Sequence, residues 1–154
     1  MTALKWWLRI VGSLYLIEGV GLTAQAYFVP ANFAAAWVSL PPETLHPVAV
    51  RGMLVPGMPG VLTWVLLGAL LWIFSRAPAR ARMLVIVVAA WELLVWAPLD
   101  VIGLLNGFEV GRAATLIAIH VVIGVSGVLV LRRAPPDEPA AAVARVRGGT
   151  SSKG

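Results

Sequence analysis

The 154-residue chain is 60% hydrophobic and 12% charged, against about 45–50% apolar and about 25% charged in ordinary soluble domains. That balance excludes a water-soluble domain with a polar shell and points to lipid as the solvent. The formal net charge is +5, but the Lys and Arg residues flank apolar stretches instead of alternating with exposed aromatics, so nucleic acid is excluded as a partner and anionic lipid is expected. With no cysteine, disulfides, thiolate metal sites and thiol redox chemistry are excluded as well.

A spanning helix needs about 20 mostly apolar residues. In chain order the first candidate is 6–28, bounded by Lys5 and Arg9. Ala24-Gln25-Ala26 matches an A-x-A signal-peptide cleavage site, but Glu18 interrupts the apolar stretch and the span continues to Phe28, which favours a retained helix. The connection from Val29 to Val50 follows, with Ala31 to Leu40 predicted as a short surface-lying helix that Pro41-Pro42 stops. The second span is 53–74, closed by Arg76. Its opening holds Pro56, Gly57, Pro59 and Gly60, which predicts a kinked or partly unwound entry. The third span is 83–105, between Arg82 and Glu109, with a kink expected at Pro98. The fourth is 113–131, between Arg112 and Arg132. Leu, Val and Ala runs without period-2 alternation argue against barrel strands. The predicted fold is an all-α integral membrane bundle of four transmembrane helices over 1–133, followed by a Pro-, Ala- and Gly-rich tail over 134–154, read as disordered and cytoplasmic.

The basic residues are lopsided. Lys5, Arg9, Arg76, Arg80, Arg82, Arg132, Arg133, Arg145, Arg147 and Lys153 fall on one side of this arrangement, and only Arg51 and Arg112 on the other. The positive-inside rule places both termini and the Arg76–Arg82 loop in the cytoplasm of a cell that carries the protein in its inner membrane. Trp6, Trp7, Trp37 and Trp72 fit an interfacial aromatic belt.

Ionisable groups in a bilayer core cost at least about 2.5–3.5 kcal/mol each on insertion scales and face the bundle interior. Glu18 lies in the first span, Glu92 in the third and His120 in the fourth. At about 1.5 Å rise per residue they sit roughly 13, 15 and 18 Å from Arg9, Arg82 and Arg132, so the three share one slab near the midplane. Two carboxylates and an imidazole at one depth can hydrogen-bond across the bundle and share a proton. The functional reading is a proton-binding or ligand-binding site for a small apolar or cationic compound. The competing reading is a set of hydrogen bonds that only holds helices together. Trp64 reaches a similar depth and can line a pocket and contact a cation, or simply pack between helices. Asp100 is placed to pair with Arg112 or Arg51. Gln25, seven residues after Glu18, extends the polar face outward. Gly60, Gly68 and Gly124 read as positions of close helix approach, and Ser13 and Ser126 as packing hydroxyls.

No spaced His and carboxylate set fits a zinc or di-iron site, one membrane histidine is too few for a haem pair, and no phosphate-binding loop or nucleophile elbow is present, so neither metal nor cofactor is expected. No catalytic residue is assigned. Four readings stay open: a binder that aids passage of a small apolar or cationic compound, a proton-coupled exporter, an isomerase-type membrane enzyme using Glu18, Glu92 and His120, and a structural subunit of a larger complex. An oligomer stays open too.

The opening Leu4-Lys5-Trp6-Trp7-Leu8-Arg9-Ile10-Val11-Gly12 with Leu14-Tyr15-Leu16, and Ile119-His120-Val121-Val122-Ile123 with Gly127 before Arg132-Arg133, resemble BphX-like membrane proteins. The resemblance implies a small bacterial four-span protein and carries no catalytic residue onto this chain. Pro41-Pro42 and Pro56 to Gly60 have no counterpart in it. Leu16-Ile17-Glu18-Gly19-Val20-Gly21 is similar to the first helix of small multidrug resistance transporters, which also carry a membrane carboxylate there. Quinone-linked DoxX-type proteins are similar in architecture alone.

Overall fold

A computed structural model describes residues 2–38, 40–106 and 110–134. All their regular structure is helical. Helix α1 runs Thr2–Phe28 and stops where Val29 precedes Pro30, since a residue before proline is pushed out of the helical region. Pro30 then opens α2, Pro30–Val38. A 3-10 turn at Pro42–Thr44 leads to α3, Pro47–Phe74. Its start combines proline in the first turn with His46 as the cap, whose Nδ1 accepts from the Val48 amide at 3.3 Å. Ser75 closes α3 by donating its hydroxyl to the Trp72 carbonyl at 2.7 Å.

Helix α4 spans Pro78–Leu105 and changes character along its length. A 3-10 turn at Pro78–Ala81 leads into α-helix over Arg82–Trp91, then a π-helical stretch over Glu92–Trp96, then α-helix again over Ala97–Leu105. Pro98, lacking an N–H, cannot continue the regular ladder, and the ladder widens just before it: the Ala97 amide donates to the Glu92 carbonyl, five residues back. The kink expected at Pro98 is thus expressed as a widened turn at 92–96. Helix α5 runs Val110–Arg133.

Small residues set the packing. Gly12 and Gly68 bring α1 and α3 into near backbone contact, and a Cβ at Gly68 would lie 2.8 Å from the Gly12 carbonyl oxygen. Gly124 on α5 makes room for the Leu93 side chain of α4. Trp7 lies over Gly127 and donates its indole N–H to Ser126 at 2.8 Å, tying α1 to α5. Trp72 donates to Ser13 at 3.1 Å and ties α3 to α1. Leu8, Val11, Leu71, Val85 and Val88 fill the interior towards the Arg76–Arg82 turn. At the opposite end Phe33 of α2 packs, fully buried, with Ala26 and Val61.

Helices α3, α4 and α5 are each long and apolar enough to cross a membrane. Helix α1, with 27 residues, falls outside that set, because Lys5, Arg9, Glu18 and Gln25 lower its hydropathy. Large apolar side chains are exposed on all four long helices, among them Ile17 (70%), Leu66 (66%), Leu94 (75%) and Val122 (65%).

Several expectations need correction. The Pro56–Gly60 stretch is not unwound: α3 is helical without interruption from Pro47, and the Thr63 hydroxyl donates to the Pro59 carbonyl at 2.8 Å. Gly60 does not mediate close helix approach, since a Cβ there would meet nothing within 4 Å. Trp7 does not belong to an outward-facing belt; it is buried, whereas Trp6 and Trp72 are exposed and flank the Arg9 guanidinium at 5.7 and 5.4 Å from their ring centres. The side chain of Trp37, Glu109 and the tail after Ala134 lie outside the described residues.

Candidate functional site

The interior holds a polar chain that crosses three helices. Tyr15 of α1 donates its hydroxyl to Oε1 of Glu92 on α4, and Oε2 of the same carboxylate meets Nδ1 of His120 on α5. On the other side of the imidazole, Nε2 lies 3.3 Å from Oδ2 of Asp100, two turns along α4 from Glu92. Glu92 is fully buried, and the His120 and Asp100 side chains are 7% and 13% exposed. A buried carboxylate must find donors, and Glu92 finds one on each oxygen. The widened turn of α4 at Glu92–Trp96 occupies this level of the bundle.

Aromatic rings line the next layer. Trp96 stacks on His120 (5.8 Å between centroids, 16° between planes) and meets Trp64 edge-on at 5.3 Å. Trp64 in turn lies against Tyr15 at 6.5 Å. Beside this stack is a cavity of about 330 Å³ whose wall includes Glu18, Gln25, Trp64, Trp96, Arg112 and His120. A second cavity of about 370 Å³, lined by Gly52, Gly57, Gly60 and Val61, also has the same two tryptophans in its wall. The Trp96 indole N–H and Asp100 Oδ2 are buried and have no hydrogen-bond partner among the described residues. The proximity of Asp100 Oδ2 to the imidazole is therefore a charge contact without hydrogen-bond alignment.

The sequence-predicted residues fall into place unevenly. Glu92 and His120 are brought into contact. Glu18 is not part of the hydrogen-bonded chain; it lies three residues beyond Tyr15, half-buried, on the wall of the 330 Å³ cavity that His120 also lines. Asp100 lies beside His120, while Arg112 is on the wall of the cavity. Trp64 lines both cavities. Tyr15 and Trp96 were missed from sequence. Tyr15 sits inside an otherwise apolar helix, and a phenol one turn before a membrane carboxylate was the available signal. Trp96, at four-residue spacing from both Glu92 and Asp100, was visible as a stripe whose inward face depends on the π-helical turn.

Among the described residues no group of three or more His, Cys, Asp or Glu side chains could hold a metal ion. No protein-family model matches the sequence, and no match emerged among curated proteins or solved structures.

Proposed function

We propose that the chain is a small polytopic protein of a bacterial inner membrane that binds a small apolar or cationic compound in the cavity beside Glu18, Trp64, Trp96 and His120, and aids its passage. Helix α1 serves as the fourth span. Its support is its length, its glycine-mediated seating along α3, and its outward-facing Ile10, Ile17 and Val20. The bias of Lys and Arg supports cytoplasmic termini.

The observation that carries the reading is the pairing of a ligand-sized cavity with aromatic walls and a few convergent polar groups, the usual make-up of small-molecule sites. The cavity is closed towards the Arg76–Arg82 end by the fully packed Leu8, Val11, Leu71, Val85 and Val88. An open pore does not fit that plug; a binding site with no opening at that end does. Holding α1, α4 and α5 together is a second role of the Tyr15–Glu92–His120 chain, and the two roles are compatible.

The test is ligand binding in nanodiscs, read by scintillation proximity with tritiated benzyltrimethylammonium and tritiated 2-acetylnaphthalene. Saturable binding of at least one probe is expected. Gly21 lies on the cavity wall and a Cβ there would meet nothing within 4 Å, so Gly21→Leu fills the cavity without disturbing helix packing. It should abolish the binding while the thermal melt is kept. Absence of saturable binding for both probes, or binding indifferent to Gly21→Leu, overturns the proposal.

A further inference from the structure

We infer that the glycine-lined cavity between α3 and α4 is a side entrance from the bilayer to the Glu18 cavity, and that the compound carried is a neutral, membrane-partitioning molecule bearing a hydrogen-bond acceptor. This rests on the reading of the Glu18 cavity as a binding site.

The Trp64–Trp96 pair belongs to the wall of both cavities. Their outer rims differ in chemistry. On the α3 side the wall holds glycines with Met53 and Val61 and no charged residue: Gly52 and Gly60 are exposed, and a Cβ on either would meet nothing within 4 Å. On the α1 and α5 side the rim carries Gln25 and Arg112, both exposed. An apolar solute dissolved in hydrocarbon meets no desolvation barrier at the first rim and a polar one at the second. Beyond Arg51 in its second turn, helix α3 carries no charged residue; it is seated on α1 at Gly68, Gly57 faces the Phe33 ring of α2, and Gly52 and Gly60 are left uncovered, with the indole pair as the bridge to α4. The inferred route requires those two rings, which pack on Tyr15 and His120, to turn aside.

The chemical class follows from the orphan donor. The Trp96 N–H is buried and unpartnered. A buried donor without a partner is costly; this N–H has almost no exposed surface, and a turn of the Trp96 ring would bring it to a carbonyl or ether oxygen on the ligand. A quaternary cation has no acceptor and would leave the indole N–H as it is.

The experiment compares 2-acetylnaphthalene with 2-ethylnaphthalene, the same ring system without the acceptor, in nanodiscs containing the full chain. The ketone should bind more tightly. Trp96→Phe keeps a ring against Trp64 and His120 but removes the N–H; it should weaken the ketone about three- to tenfold and leave the hydrocarbon unchanged. Gly60→Leu, which fills the glycine-lined opening, should slow association and dissociation of the ketone equally, with Kd unchanged. If Gly21→Leu blocks binding but Gly60→Leu leaves both rates as they were, the side entrance is wrong and the Glu18 site stands. Equal loss of both naphthalenes in Trp96→Phe removes the acceptor argument. If neither naphthalene binds the parent protein, the inference falls, and binding of benzyltrimethylammonium decides whether the Glu18 site falls with it.

Discussion

Tyr15 of α1 donates to the fully buried carboxylate of Glu92 on α4 and so ties the two helices together inside the bundle. The same carboxylate holds His120 of α5. Tyr15→Phe removes one donor and should destabilise the bundle by about 1–3 kcal/mol, the penalty for a buried acceptor left short of a partner. Tyr15→Phe in a Glu92→Leu background should cost much less, because the acceptor is gone. Thermal or SDS titration of the four proteins in a double-mutant cycle measures the coupling; additive effects would mean that the pair contributes nothing.

Gly68 and Gly60 lie two turns apart on α3 and should respond oppositely. A Cβ at Gly68 meets backbone, the Gly12 carbonyl oxygen at 2.8 Å and the Leu16 amide at 2.9 Å, so α1 and α3 must separate. Gly68→Ala should lose about 1–3 kcal/mol through forced repacking. At Gly60 the Cβ enters open space, and Gly60→Ala should gain about 0.5–1 kcal/mol from reduced backbone freedom. Unfolding midpoints in one detergent decide both; similar shifts at the two positions would contradict the packing described.

This contrast marks what was legible in the sequence. Apolar run lengths and flanking charges placed the long helices within a few residues, because hydropathy is summed over many positions. The spacing of Gly60 and Gly68 looked alike, yet only the crossing point of α1 on α3 distinguishes them, and a crossing point is not written in one helix. Common depth on three helices brought Glu92 and His120 to one level, which is a matter of rise per residue. Their azimuth is not: the partner on α1 is Tyr15, and Glu18 turns to the cavity. Pro56, Gly57, Pro59 and Gly60 predict a kinked or partly unwound entry from local propensity alone, yet α3 is helical through them.

Membrane topology makes a third prediction. Reporter fusions after Arg80 and after Arg133 should score cytoplasmic and one near Glu43 external, since α1 must cross for the Lys and Arg bias to fall on one side. Helix α1 has the lowest claim to span by hydropathy alone, so the Glu43 fusion is the decisive one. A cytoplasmic Glu43 would leave three crossings at most and place α1 along the surface.

The two carboxylates should separate by function when each is changed in turn. Glu92 is enclosed and hydrogen-bonded on both oxygens. Glu92→Leu strands Tyr15 and His120 together, and should cost several kcal/mol, on the order of two lost buried partners. Glu18 has no such partner and lies half-buried on a cavity wall. If it were a member of the structural network, Glu18→Leu would be as damaging as Glu92→Leu. The geometry predicts otherwise: Glu18→Leu and Glu18→Gln should both melt within about 1 kcal/mol of the parent, the range for substitutions away from buried networks. Binding should tell them apart from the parent. Removing the carboxylate takes charge from the cavity beside His120 and Arg112, so the affinity for benzyltrimethylammonium should fall in both variants. The affinity for 2-acetylnaphthalene should hold or rise in Glu18→Leu, where the wall becomes more apolar. A Glu18 variant that unfolds, or one whose affinities match the parent for both probes, would return this residue to a packing role and leave Trp96 and His120 as the groups that define the site.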